Sequence, residues 1–422
     1  MKIKIKPSVL NGKIKAISSK SQVHRMLIAA ALADGETAIF FDSTGEDIDA
    51  TVDCLTALGA KIEKGNGCLK VTPIKEAPLK ATLDCRESGS TLRFLLPVAG
   101  ALGVSACFTG SGRLPSRPIM PLRREMENAG ISFSEPWKFP IEISGKLEPG
   151  AYQLKGDVSS QFVTGLLVAL PLLDGDSTLR LIPPVESRPY IDMTLEVLSF
   201  FGIKIEEKDN SFFIKGAQKY RSPETLTAEG DWSNAAFFLT AGALAGSVTV
   251  TGLNPTSLQG DRKITELLEQ MGADVSVLDG EVTVSRNKLK AISIDAADIP
   301  DLVPVLSVAN AAADEGLCVI SNAQRLKIKE SDRLAAVSEC LNNIGNVNAQ
   351  TDDGIVIWTY ERLTGGEVFS FNDHRIVMAM AIASAACEGD ITIRNAEAVS
   401  KSYPDFFEDF KLLGGKADVI DS

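Results

Sequence analysis

The sequence predicts an α/β fold in two equal domains, each built from three repeats of about seventy residues. Three observations carry that expectation. Six apolar helical runs end in glycine and lead into a strand-like segment: LTALGAKI from Leu55, MENAGISF from Met126, LSFFGIKI from Leu198, LEQMGADV from Leu268, LNNIGNVN from Leu341 and FKLLGGKA from Phe410. Their glycines, Gly59, Gly130, Gly202, Gly272, Gly345 and Gly414, recur at intervals of 71, 72, 70, 73 and 69 residues. Three copies fall on each side of residue 228. A glycine directly after a helix suits the left-handed cap position, where a Cβ would be penalised. One such signal means little, whereas six near-equal intervals imply a duplicated unit with one or two helices and three or four short strands. The polar, proline-containing segment from Tyr220 to Gly230 is the candidate linker.

The 422 residues suit two or three domains at roughly 150 residues each, and a chain of this length buries a core without staples. Hydrophobic residues make up 45% and charged residues 23%, ordinary for a globular protein. The seven cysteines are odd in number and form no C-x-x-C pair, which argues against a disulfide framework and a zinc site. Reduced thiols in a cytoplasmic protein are expected. The N-terminal Met-Lys-Ile-Lys-Ile-Lys-Pro alternates like a strand and lacks a signal peptide's apolar region. The apolar stretches Phe162–Leu173, Ala235–Val250 and Ile376–Cys387 are shorter than a membrane span and read as buried helices. No membrane partner is expected. A net charge of −12 argues against a nucleic-acid surface. It does not exclude a small anionic ligand, since local cationic clusters decide the field inside a cleft.

Such clusters recur between the helices. Ser19-Lys20-Ser21-Gln22-Val23-His24-Arg25 opens the apolar helix Met26–Ala33. A helix start with free N–H groups, Lys20 and Arg25 can hold a carboxylate or phosphate, although from this cluster alone a capped helix with solvated charges is the better reading. Glu87-Ser88-Gly89-Ser90-Thr91-Leu92-Arg93 and Gly110-Ser111-Gly112-Arg113-Leu114-Pro115-Ser116-Arg117-Pro118 let backbone approach an anion, or are plain turns. Gly156-Asp157-Val158-Ser159-Ser160-Gln161-Phe162 is another hydroxyl-rich helix start, followed by Glu186-Ser187-Arg188-Pro189-Tyr190. The second half adds Asp298-Ile299-Pro300-Asp301, the run from Lys327 to Arg333, Asp373-His374-Arg375 and Ser400-Lys401-Ser402-Tyr403-Pro404. Lys329, Glu330 and Arg333 lie within one helical turn, and alone would read as a solvated helix face. Together the clusters bring cations beside small or hydroxyl residues from both halves of an acidic chain, which suits a ligand carrying phosphate and carboxylate. The two histidines, His24 and His374, come with no H-E-x-x-H, Walker A loop, dinucleotide fingerprint or G-x-S-x-G elbow.

In this order, S-K-S at Ser19–Ser21, G-D-V-S-S-Q-F at Gly156–Phe162, K-E-S-D-R-L at Lys329–Leu334, D-H-R at Asp373–Arg375 and S-K-S-Y-P-D-F at Ser400–Phe406 resemble the 5-enolpyruvylshikimate-3-phosphate (EPSP) synthase family over essentially the whole chain. The resemblance implies a two-domain inside-out α/β barrel, each domain three βαβαββ units. Residues 14–228 would form one domain, and residues 1–13 with 229–422 the other, with the active site in the cleft between them. It implies transfer of the enolpyruvyl group of phosphoenolpyruvate to the 5-hydroxyl of shikimate 3-phosphate, without metal or organic cofactor, by a monomer. Ser21 and Arg25 would hold the shikimate carboxylate; Ser159, Ser160, Ser187 and Lys329 its phosphate; Gln161 and Tyr190 its ring; Asp301 its hydroxyls; Lys20 would also contact this substrate. Lys20, Gly89, Arg113, Gln161, Arg333, Arg375 and Lys401 would surround phosphoenolpyruvate, and glyphosate would occupy the same place. Asp301 is expected as base toward the hydroxyl, Glu330 as acid/base at C3 and Lys20 as assistant to both proton transfer and leaving phosphate.

Glu87, Ser90, His24 and Arg325 depart from the residues usual in that family. Three other readings compete. A sister transferase acting on UDP-N-acetylglucosamine would carry cysteine five residues before Arg117, where Gly112 stands. A DNA clamp would spread its cations along helix faces, and a phosphate-end cyclase would use His374 as nucleophile.

Overall fold

The computed structural model describes residues 1–42, 45–134, 139–359 and 362–421. It divides into two compact units, Ser18–Ala228 and Met1–Ile17 with Glu229–Ser422. The first holds α1 (Lys20–Ala31), α2 (Glu46–Ala57), α3 (Gly89–Leu102), α4 (Met120–Asn128), α5 (Ser160–Ala169) and α6 (Arg188–Phe200). The second holds α7 (Trp232–Leu244), α8 (Ile264–Met271), α9 (Val303–Ala311), α10 (Arg333–Asn343), α11 (His374–Ala383) and α12 (Phe406–Leu412).

Among the described residues, each unit carries three four-stranded sheets of one pattern. In the clearest repeat, strand Lys80–Asp84 leads through α3 to the parallel strand Ser105–Thr109, then through α4 to the antiparallel strands Ile131–Phe133 and Ile141–Gly145. This is a βαβαββ unit. All six repeat glycines, from Gly59 to Gly414, have positive φ between 74° and 108°, a region that favours glycine.

The N-terminal residues complete two repeats of the second unit. Lys2–Lys6 lies between Ile391–Arg394 and Lys416–Asp421, antiparallel to both, and Leu10–Lys15 pairs in parallel with Gly246–Thr251. The alternation of Lys2–Lys6 turns Ile3 and Ile5 into the core and leaves Lys4 at the surface beside Asp390 at 2.8 Å. The sequence boundary after residue 13 therefore falls inside a strand: pairing continues to Lys15, and the chain leaves the unit after Ile17.

Three apolar helices form the interior of the second unit. All 13 residues of α7, all nine of α9 and all ten of α11 are buried, and the three pack against one another. Their sequences alternate no polar face, so they cannot sit half in water. The sheets lie outside, with strand side chains alternating buried and exposed, as in Leu317–Ser321. In the first unit α3 and α5 play the same part, and Gly165 lets them meet: a Cβ there would stand 2.3 Å from the Arg93 carbonyl oxygen. Helices inside and sheets outside invert the usual sheet-centred α/β layering.

Candidate functional site

In the unit Ser18–Ala228, four helix starts carry the expected residues. None of α1, α3, α5 or α6 has an acidic residue in its first turn, so their N-terminal partial charges are left for an anion. Ser88 caps α3 by accepting from Thr91 N–H at 3.2 Å, and Ser159 caps α5 by accepting from Gln161 N–H at 3.3 Å. Ser160 and Ser187 are buried, and Ser187 enters α6 at φ 54°.

Side chains tie these starts together. Arg25, 3% exposed, donates to Thr194 Oγ1 at 2.8 Å, the Tyr190 carbonyl at 3.0 Å, Thr164 Oγ1 at 3.3 Å and the Ser21 carbonyl at 2.6 Å. Burial pulls its guanidinium down to about 10, so it remains a cation at neutral pH. Gln161 accepts from Arg93 at 2.6 Å and donates to Ser90 Oγ at 2.8 Å, which links α5 to α3. Lys20 Nζ reaches Asp47 Oδ2 at 2.8 Å. The space above Gly89 is filled by Arg117: a Cβ on Gly89 would stand 2.8 Å from its Cζ. Arg117 is buried, whereas Arg113, four residues earlier, is exposed.

In the other unit, one arginine gathers three carboxylates. Arg333, 1% exposed, donates to Asp301 Oδ1, Glu330 Oε2 and Asp373 Oδ2, each at 2.7 Å. Arg375 donates to Asp301 Oδ2 at 3.0 Å. Asp332 caps α10 and Asp373 caps α11, which fixes Arg333 and Arg375 at the first turns of their helices. Lys401 donates to the Asn372 carbonyl at 2.8 Å.

Burial pushes the Asp301 carboxyl up, but Arg375, Lys329 and Arg333 more than reverse this and hold it well below the usual carboxylate range. Burial pulls the Lys329 ammonium down to about 8, against the opposing pull of Asp301. Burial pulls Arg333 down, and Asp373, Glu330 and Asp301 together raise it further than that. Losing one member of a buried ionic cluster costs roughly 3–5 kcal/mol, because the others stay buried and uncompensated. The Glu330–Arg333 pair is therefore no solvated helix-face contact.

Thus Lys20, Ser21, Arg25, Gly89, Ser159, Ser160, Gln161, Ser187 and Tyr190 stand on helix starts of one unit, with Arg113 outlying on an exposed loop. Asp301, Lys329, Glu330, Arg333, Arg375 and Lys401 belong to the other. Sequence reasoning missed Arg117, Asp47 and Asp373 as site members. Arg117 shares a loop with Arg113, and nothing in the sequence distinguishes them; Asp47 lies 27 residues from its partner Lys20. Arg325, set aside for its departure from the family, is buried and donates to the Ala297 carbonyl at 2.6 Å. All seven cysteines are free thiols. Among the described residues, no group of three or more His, Cys, Asp or Glu is placed to hold a metal ion, and no helix is long and apolar enough to cross a membrane.

Two units of βαβαββ repeats, one with cation-bearing helix starts and the other with a buried carboxylate–arginine cluster, mark an enolpyruvyl-transferase class of protein. The family EPSP synthase (3-phosphoshikimate 1-carboxyvinyltransferase) matches residues 5–410, and the chain belongs to it. A 3-phosphoshikimate 1-carboxyvinyltransferase of Clostridium kluyveri is 43% identical over 419 residues, covering 99% of this chain and 98% of that protein. One of Clostridium acetobutylicum is 44% identical over 420 residues, 98% and 97% of the two chains. Among solved structures, EPSP synthase from Acinetobacter baumannii superposes with TM-score 0.82 at 26% identity, over 99% of this chain and 100% of that one. The enolpyruvyl transferase NikO from Streptomyces tendae has TM-score 0.80 at 19% identity, over 99% and 98%, and shares the fold.

Proposed function

We propose that the residues described above carry out enolpyruvyl transfer from phosphoenolpyruvate to the 5-hydroxyl of shikimate 3-phosphate. The chain is an enolpyruvyl transferase of aromatic biosynthesis by its family. The observation that carries the assignment of roles is the buried Arg333, which holds Asp301, Glu330 and Asp373 in one cluster with Arg375 alongside.

Arg25, Ser21, Ser159, Ser160, Ser187 and Lys329 bind the shikimate carboxylate and phosphate, with Gln161 and Tyr190 at the ring. Lys20, Gly89, Gln161, Arg333, Arg375 and Lys401 receive phosphoenolpyruvate. Arg117, buried against Gly89, takes the place the sequence assigned to Arg113. Addition moves the 5-hydroxyl proton to a base and places a proton on C3 of phosphoenolpyruvate, giving a tetrahedral intermediate. Elimination returns the C3 proton to the enzyme as the C–O bond to phosphate breaks. Asp301 serves the hydroxyl, Glu330 serves C3 and Lys20 assists the departing phosphate.

Held by two arginines, Asp301 is a weak base. Ligand anions that draw Arg333 and Arg375 away free it to accept a proton, so binding itself raises its basicity. The protein works as a cytoplasmic monomer. The Gly112 position speaks against the sister UDP-sugar reaction: φ is +55° and a Cβ would fall 1.5 Å from Glu87 Oε1, leaving no room for cysteine. Phosphate release with both substrates, each omitted in turn and shikimate 3-phosphate replaced by UDP-N-acetylglucosamine, tests the proposal. Release only with phosphoenolpyruvate and shikimate 3-phosphate together is expected.

A further inference from the structure

His24 has no place in the chemistry above, yet it heads a buried chain of side-chain hydrogen bonds. Its Nδ1 meets Thr51 Oγ1 at 2.7 Å; Thr51 Oγ1 meets Thr91 Oγ1 at 2.7 Å; Thr91 Oγ1 donates to Ser88 Oγ at 2.8 Å. His24, Thr51, Thr91 and Ser88 are each at most 1% exposed. The chain crosses three helices. His24 sits in α1, the helix of Lys20 and Arg25. Thr51 sits in α2, which supplies Asp47 to Lys20. Thr91 and Ser88 form the first turn and cap of α3, whose first residue is Gly89.

The direction of the chain follows from the hydrogen-bond network. Among the described residues His24 Nε2 has no hydrogen-bond partner, and the ring stands edge-on to Phe94 at 6.4 Å. A buried N–H without an acceptor is rarer and costlier than an acceptor without a donor. The proton therefore sits on Nδ1 and is donated to Thr51, which donates to Thr91, which donates to Ser88. Burial drives the imidazole down to about 3, so it stays neutral and its single N–H sets one sense for the whole chain. Asp47, Lys20 and Arg25 are the charged groups that act on it.

We propose that His24 is a positioning residue for the reaction, locking the first turn of α3, and with it Gly89, to the helices that carry Lys20 and Asp47. The inference rests on Gly89 and Lys20 facing phosphoenolpyruvate, as proposed above. Arg25 shares the Phe94 ring with His24, but its hydrogen bonds run outside this chain, to Thr164, Thr194 and the Tyr190 carbonyl. Loosening the chain should thus weaken phosphoenolpyruvate and spare shikimate 3-phosphate.

Steady-state kinetics on His24→Phe and Thr51→Val test this. The first keeps an aromatic ring against Phe94 without the donor, and the second keeps the side-chain shape without the hydroxyl. Each should raise KM for phosphoenolpyruvate roughly 3- to 10-fold, the scale of one lost neutral hydrogen bond. KM for shikimate 3-phosphate should stay within about twofold. The double variant should be no worse than either single one, since both break the same chain. His24→Asn, which offers a donor the same number of bonds from the backbone, should restore a near-normal KM. Parallel rises in both KM values, multiplying effects in the double variant, an unrescued His24→Asn, or a normal KM in Thr51→Val would each overturn the proposal. A wild-type protein releasing no phosphate from the two substrates would instead count against the assigned roles, and the inference would fall with them.

Discussion

Gly89→Ala probes the proposed phosphoenolpyruvate subsite with a single methyl. Gly89 is the first residue of α3 and is not among the glycines with positive φ. An alanine therefore suits the backbone, and helix propensity favours it by roughly 0.5–1 kcal/mol over glycine. The difficulty lies in the side chain above. The new Cβ would stand 2.8 Å from Arg117 Cζ and Nη1 and 2.9 Å from Nη2. Carbon contacts settle near ~3.5–4.0 Å, so the guanidinium must retreat by ~0.7–1.2 Å. Overpacking of this kind typically costs about 1–3 kcal/mol. Glyphosate, longer than phosphoenolpyruvate, should bear most of it and lose about 10- to 100-fold in affinity. Phosphoenolpyruvate should weaken less. The assay is Ki for glyphosate against KM for phosphoenolpyruvate, with the melting temperature of both proteins alongside. A raised Ki/KM ratio is expected, whatever part of the strain against Arg117 also shows in Tm. A lower Tm with an unchanged ratio would refute the reasoning, since it would place the methyl's effect in the fold and not in the subsite.

Asp301→Ala and Glu330→Ala should each lower kcat by ~10²-fold or more, the usual range for positioned proton transfer; a near-normal kcat in Glu330→Ala would leave that residue as an ion-pair partner of Arg333 only. Lys329, with its ammonium near 8, should give kcat/KM for shikimate 3-phosphate an alkaline limb: the cation proposed to meet the phosphate is lost as pH rises through that value. Lys329→Arg should abolish the limb, and a limb surviving unchanged would exclude Lys329 as its source. The same group has a stability signature. Its folded value lies below the ordinary 10.5, so between the two the unfolded chain binds more protons and this contribution to stability rises with pH.

The repeat was legible because its signal is local. A left-handed cap selects glycine wherever it occurs, and all six spaced glycines adopt positive φ. The buried helices were legible from uninterrupted apolar runs such as Ala235–Leu244, which lack a polar face. Clusters of cations beside hydroxyls marked the helix starts of the candidate site. Which cation turns inward was not legible: Arg113 and Arg117 share a loop, and only its short helical turn at Leu114–Ser116 separates an exposed from a buried side chain. Pairings distant in sequence, Lys20 with Asp47 or Arg333 with Asp373, depend on how repeats stack. The strand Leu10–Lys15 ran past the expected domain boundary because its pairing partner at Gly246–Thr251 fixes its end, and that partner is more than two hundred residues away. The tension on Asp301 was equally hidden. Its identity as a carboxylate is written in the sequence, whereas its grip by Arg333 and Arg375 comes from helix starts that converge in space.

Phosphorus NMR of a single reaction mixture tests the central claim most directly. With phosphoenolpyruvate, shikimate 3-phosphate and the native protein, inorganic phosphate and the enolpyruvyl ether of shikimate 3-phosphate should appear in equal amounts. Neither should form when one substrate is omitted or when UDP-N-acetylglucosamine replaces the shikimate ester. Phosphate appearing from phosphoenolpyruvate alone, or turnover with the UDP-sugar in place of shikimate 3-phosphate, would contradict it.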